Sequence, residues 1–224
     1  MVAAVLTGQL SIGWSNDLLD LERDRAVART DKPLAAPDVD LAPVRVACVA
    51  ALVATVVTSL ALGWVPGLLQ LLVVASGWAY NLGLKATVAS FVPYALAFGA
   101  LPAVVWSAGP EPVPGWLLPA GALLGVAAHL LNVLPDLADD AATGVRGLPH
   151  RLGARGSRVL AAGLLTAATV TLVASTDLGV PVRAAVLALA GALAAVAVMA
   201  GGRRAFRAAV GLALVDVVVL VVAR

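Results

Sequence analysis

The chain has 224 residues, is 61% hydrophobic and only 12% charged, and carries a formal charge of +2. A mean hydropathy of +0.98 is more apolar surface than a soluble core of this length absorbs, which excludes an ordinary soluble enzyme and points to membrane-spanning helices. The lone Cys48, in an apolar run, excludes an internal disulfide or a thiolate metal site, and no Gly-rich phosphate loop, Ser/His/Asp arrangement or Cys/His cluster is present.

Apolar runs at about 1–15, 44–65, 67–84, 88–108, 115–134, 158–175, 180–200 and 205–223 predict eight helices. The expected fold is all-α: one multipass transmembrane bundle, residues 1–224, around a central cavity, with two internally related halves at about 1–108 and 115–224. The first run opens at Met1 without the basic segment or cleavage site of a signal peptide. Its 15 or so residues reach roughly 22 Å, short of the ~30 Å hydrocarbon core. Either this helix extends through Asn16 and Asp20 into a polar cavity, or a further apolar segment precedes it.

Gly63–Gly67 and Gly109–Gly115 read as tight turns, whereas 16–43 and 135–157 read as long polar connections. Threading the helices alternately puts both long connections and Lys85 on one side. That side also collects Arg23, Arg25, Arg29, Lys32, Arg45, Arg146, Arg151, Arg155, Arg158, Arg203, Arg204 and Arg207, leaving Arg183 and Arg224 opposite. By the positive-inside rule the basic side is cytoplasmic. Trp64, Trp106 and Trp116 then fall at the far face, and Trp14 and Trp78 near the basic one, as aromatic belts would. Thirteen of the fifteen bases are Arg amid Ala, Val and Gly, a high-GC bacterial composition, so a bacterial cytoplasmic membrane is expected. Positive-inside anchoring accounts for the bases without a nucleic-acid partner.

The two polar connections begin with the same lettering, N-x-x-x-D-L-x-x-D, once at Asn16–Asp24 and again at Asn132–Asp140. Of 13 acidic residues, eight (Asp17, Asp20, Glu22, Asp24, Asp31, Asp136, Asp139 and Asp140) lie in or beside these segments. On a helix Asn16, Asp20 and Asp24 share a face, as do Asn132, Asp136 and Asp140, with Asp17 and Asp139 one step away. Carboxylates so close repel unless a cation neutralises them. Hard oxygen donors in this number suit Mg²⁺, which is typically held jointly by carboxylates and a substrate's phosphates, so a metal–diphosphate ligand is expected. One such motif would read as a solvated loop; two in register on one membrane side read as a site where repeats meet.

These residues resemble the UbiA-type intramembrane prenyltransferase superfamily. Its first motif, N-D-x-x-D-x-x-x-D, is matched at Asn16, Asp17, Asp20 and Asp24, and Arg29-Thr30-Asp31-Lys32-Pro33-Leu34 is similar to its R-T-x-R-P-L continuation. Its second, D-x-x-x-D, is matched at Asp136 and Asp140, followed by Gly144–Pro149, which is similar to its G-x-x-x-L-P. Tyr80-Asn81-Leu82-Gly83-Leu84-Lys85 resembles its Tyr-to-Lys motif, some members having the Lys one position nearer. The resemblance implies Mg²⁺-dependent transfer of an isoprenyl group from an isoprenyl diphosphate to an acceptor, typically aromatic and of quinone-precursor type. It also implies that Asp20, Asp24, Asp136 and Asp140 are catalytic, with Asn16, Asp17, Asn132 and Asp139 completing the metal set. Arg29, Lys32, Lys85, Arg146 and Tyr80 are then candidates for diphosphate oxygens. Family members commonly have nine helices, so the first helix here corresponds to their second, and one more upstream apolar segment is expected.

The remaining polar residues have plainer readings. His129 is expected to pack with a hydrogen bond rather than face an acceptor. Asp216, deep in the last apolar run, is expensive unless partnered or functional. Gly121 and Gly125 permit a close helix contact, and Pro93 and Pro102 kink the fourth run. Competing functions are a porphyrin, phosphosugar or glycerol-phosphate acceptor, an inactive truncated scaffold, or an inverted-repeat transporter; a transporter would carry its acids at mid-membrane.

Overall fold

The computed structural model describes residues 1–27, 29, 32–36, 38–200 and 202–222. Thr30, Asp31 and Arg224, used in the sequence reading, lie outside the described residues. Among the described residues there are eight long helices, as expected: α1 (Val2–Leu19), α3 (Ala42–Leu60), α4 (Trp64–Asn81), α5 (Val92–Trp106), α6 (Leu117–Asn132), α8 (Leu148–Ser175), α9 (Val180–Met199) and α10 (Gly202–Val222). Two short helices, α2 (Leu21–Ala26) and α7 (Leu137–Ala142), carry the acidic motifs onward from α1 and α6. No strand occurs among the described residues. The fold is the expected all-helical bundle.

Chain order maps onto neighbourhood. α1 packs on α3 and α4, α4 on α5, α5 on α6, α6 on α8, and α8 on α9 and α10, with α10 returning to α6. The seam between α5 and α6 is the closest. A Cβ on Gly121 would stand 2.3 Å from the Phe98 carbonyl oxygen, and one on Gly125 would stand 2.3 Å from that of Tyr94. No side chain fits there, so the expected small-residue contact is made, backbone against backbone.

The two ends of the chain are held together by different chemistry. Around α6, α8, α9 and α10 the core is aliphatic and small: Leu130, Leu165 and Leu212 interleave with Ala127, Ala161, Ala168 and Ala209. Around α1, α3 and α4 the buried positions include Ser11, Ser15, Thr55, Gln70 and Asn81. Gln70 Nε2 donates to the Ala4 carbonyl (3.2 Å), Asn81 Nδ2 donates to the Ile12 carbonyl (2.9 Å) and to Ser15 Oγ (2.8 Å), and the Thr55 and Thr7 hydroxyls lie 3.0 Å apart. Where apolar burial gives helices no preference for one another over lipid, such bonds fix their register. Among the described residues six helical segments are long and apolar enough to cross a membrane; α1 and α4, which these amide bonds join, are not among them.

α1 runs through Asn16 to Leu19, so the first run extends toward the polar region, as one of its two readings had it. One sequence expectation changes. α8 begins at Leu148, not near residue 158. Residues 148–152 are already helical, Gly153 breaks the run at φ 68°, and the arginines read as a loop continue the helix beyond. Trp78 is half-buried near the end of α4 and donates its indole N–H to Ser11 Oγ at 3.3 Å.

Candidate active site

Motif one is two helix pieces meeting at Asp20. The backbone amide of Asp20 still bonds Asn16 O (2.9 Å) and that of Asp24 bonds Asp20 O (2.8 Å), so Asn16, Asp20 and Asp24 keep the expected common face through a mild bend. Motif two is broken more sharply. Pro135 has no N–H to continue α6, so the chain tightens into a 3₁₀ turn at Leu134–Asp136 before α7 resumes. Asp136 and Asp140 still lie one turn apart.

Both motifs open into one cavity of about 230 Å³. Asn16, Asp20 and Asp24 line it from one side, Asn132, Asp136 and Asp140 from the other. Arg29, Lys32, Lys85 and Tyr80, also predicted, line it as well, as do Arg23 and Tyr94, which the sequence did not single out for a role. The only signal for Arg23 was its position three residues after Asp20; Tyr94 had none. Three predicted residues lie elsewhere. Asp17 lines an adjoining chamber, its carboxylate 2.5 Å from Lys32 Nζ. Asp139 is exposed and its carbonyl accepts from Thr143. Arg146 lines a separate recess with His150 and Arg151.

Charge is matched across the cavity. Asp20, only 6% exposed, receives Lys85 Nζ and, at 3.0 Å, Arg23 Nη2. The same Arg23 reaches Asp140 Oδ1 at 3.7 Å, and Arg29 reaches Asp136 Oδ1 at 3.4 Å. Bases of the first motif therefore bridge to acids of the second. Asp24 is buried, and burial, with the neighbouring Asp20 charge second, pushes its carboxyl above the ordinary range against the pull of Lys32, Arg23 and Arg29.

The donor set fits a divalent cation: hard carboxylate and amide oxygens of both motifs face one space roomy enough for an ion with its waters. Among the described residues no three acidic, His or Cys side chains gather about one point. The acids are spread along the wall, and Asp20, Asp136 and Asp140 are paired with bases.

Beside this polar mouth lies a chamber of about 540 Å³, walled by Ile12, Val73, Pro93, Ala97 and Phe98, with Gln9 and Asn81 as its amides. Asn16, Lys32, Tyr80 and Tyr94 line both spaces and form the neck between them. The two tyrosine rings meet edge to face at 5.3 Å. His129 is packed behind them, its ring 4.8 Å from that of Tyr94 and its Nε2 2.9 Å from Ser90 Oγ. It is the expected hydrogen-bonded packing histidine. Asp216, fully buried, has the partner the sequence could not show, Thr169 Oγ1 at 2.5 Å.

No functionally curated protein matches the chain. Two solved structures share its fold. One is the apo structure of a UbiA homologue from Aeropyrum pernix K1, at TM-score 0.68 and 20% identity, covering 98% of this chain and 86% of that one. The other is a UbiA homologue from Archaeoglobus fulgidus bound to GPP and Mg²⁺, at TM-score 0.74 and 16% identity, covering 99% of this chain and 86% of that one. The model of the UbiA prenyltransferase family matches residues 1–215, and with six helices among the described residues long and apolar enough to span a bilayer the chain is an integral membrane protein that belongs to that family.

Proposed function

We propose that the chain transfers an isoprenyl group from an isoprenyl diphosphate to an aromatic, quinone-precursor type of acceptor, with Mg²⁺ as cofactor. The observation that carries this reading is the junction of a cavity walled by two acid motifs and four bases with an apolar chamber across a tyrosine neck. The binding of GPP and Mg²⁺ by the Archaeoglobus fulgidus homologue supports it.

Asp20, Asp24, Asp136 and Asp140, with Asn16 and Asn132, would hold the metal; bound there, it supplies positive charge against the diphosphate. Lys85, Arg29, Lys32 and Arg23 take diphosphate oxygens, the arginines by bidentate grip and the lysines as point charges. The C1–O bond of the donor breaks with its electron pair leaving on the diphosphate, and these cations stabilise the growing charge. The allylic cation forms a bond to an electron-rich ring carbon of the acceptor, and that carbon then loses its proton. Apolar walls keep water from the cation, and Phe98 and Tyr94 offer flat surfaces for an aromatic ring. Asp17 holds Lys32 at the neck, and Asp139 has no part in binding.

In this reading the motif-bearing end faces the cytoplasm of a bacterium, where the basic residues concentrate, and residues 1–224 act as one domain whose halves each contribute a motif. The test is Mg²⁺-dependent release of diphosphate and transfer of a labelled isoprenyl chain in vesicles, with aromatic, porphyrin and glycerol-phosphate acceptors offered in parallel. Transfer to the aromatic panel alone is the expected result; diphosphate release with transfer only to another class corrects the acceptor, and no release refutes the reaction.

A further inference from the structure

The turn joining α7 to α8 has two faces. Asp140 and Val145 line the central cavity, whereas their immediate neighbours Ala141 and Arg146 line a different recess, of about 450 Å³, together with His150 and Arg151. The Val145 amide bonds the Asp140 carbonyl at 2.8 Å, closing the turn into a partition one residue thick.

Three features of the outer recess point to a ligand. Its His150 side chain is 8% exposed, yet neither ring nitrogen has a hydrogen-bond partner; the nearest charge to Nε2 is Asp140 Oδ2 at 3.7 Å, from the partition. Arg146 and Arg151 have no acidic partner among the described residues, whereas Asp20, Asp136 and Asp140 of the neighbouring cavity each pair with a base. The recess carries no acid of its own. An imidazole shut away from water without a partner is costly, and two unneutralised guanidinium groups beside it complete a donor set that lacks only an acceptor.

We propose that this recess is a phosphate-binding site, distinct from the diphosphate cavity, in which Arg146 and Arg151 grip the phosphate oxygens and His150 donates from below. Paired guanidinium groups match the geometry of a phosphate group, and the buried imidazole gains the partner it lacks. Two sources present that chemistry at the basic end of a membrane protein: the headgroup of an anionic phospholipid and free inorganic phosphate.

The experiment reads binding alone and needs no isoprenyl donor, so its outcome is independent of the transfer reaction. Purified protein in detergent is titrated with radiolabelled inorganic phosphate in one arm, and with phosphatidylglycerol against phosphatidylcholine, read by native mass spectrometry, in the other. The variant Arg146→Gln/Arg151→Gln is compared with the charge-matched Arg155→Gln/Arg158→Gln, which alters the same helix outside the recess. Arg151→Gln alone serves where the double variant unfolds. Expected is a loss of about tenfold or more in affinity for the recess variants and none for the matched pair. The arm showing the loss names the source. Binding in neither arm, or equal binding by both pairs of variants, overturns the proposal.

Discussion

The two acidic motifs share their letters but not their surroundings. At motif one Asp20 and Asp24 are 6% and 5% exposed, and the same short stretch supplies Arg23, Arg29 and Lys32. At motif two the side chains of Asp136 and Asp140 are 42% and 18% exposed, and the bases that reach them across the cavity, Arg29 and Arg23, come from motif one. Pro135 explains part of the contrast, because it turns the second motif outward through a 3₁₀ step where the first continues as helix. A sequence repeat can thus specify one donor set while dividing the labour unequally: the stretch around motif one, with Lys85, carries the countercharge for both.

The sharpest test of that inequality is to neutralise one acid in each half. Asp20→Asn leaves the nearly buried Lys85 without its partner, so it should lower kcat/KM about a thousandfold and cost about 3 kcal/mol of stability. Asp136→Asn should cost about a hundredfold in rate with little loss of stability, because water reaches that carboxylate. Diphosphate release and thermal unfolding in detergent measure both; equal losses would abolish the distinction. Next in size is the bridge. Arg23→Gln should raise the KM for isoprenyl diphosphate about tenfold, whereas Arg25→Gln, exposed on the same helix, should leave it unchanged.

Acidity sharpens the comparison further. The raised carboxyl of Asp24 holds its proton above the usual aspartate value of about 3.9, and the protonated acid is no ligand. Mg²⁺ affinity should therefore fall as pH falls through that raised value. Without a cation the sign reverses for folding: the buried group favours its neutral form, its contribution is present at low pH, and it is lost as pH rises. The rise in unfolding temperature that Mg²⁺ gives should accordingly grow as pH rises through that value. A rise that stays constant across the whole acid range would remove Asp24 from the site. Smallest of all, Asp139→Asn should change kcat/KM less than about twofold, since its side chain is exposed and lines neither space.

Much of this was legible beforehand. Long apolar runs define the eight helices because lipid demands continuous helical hydrogen bonding, and the repeated N-x-x-x-D-L-x-x-D marks the cavity because acids are scarce elsewhere. What escaped was pairing across distance. Arg23 in a basic segment reads like any headgroup anchor until Asp140 is seen beside it. Thr169 lies 47 residues from Asp216 and has no periodic relation to it. The early start of α8 was hidden because Arg151, Arg155 and Arg158 resemble a solvated loop, although Ser157 among them is fully buried and its hydroxyl donates to the Pro149 carbonyl at 3.3 Å.

The glycine seam between α5 and α6 bears on how anything enters. There carbonyl oxygens meet glycine backbones with nothing soft between them, so those two helices behave as one stiff plate. Across α1 and α4 the close approaches of glycine, Gly77 to Ile12 and Gly8 to Val74, meet side chains rather than backbone, and side chains yield where backbone does not. The apolar chamber lies between the two, bounded by α1, α4 and α5. Compliance is therefore built into the wall a long greasy tail would have to part, and rigidity into the one that holds Asn132 and Tyr94 in register with the acids.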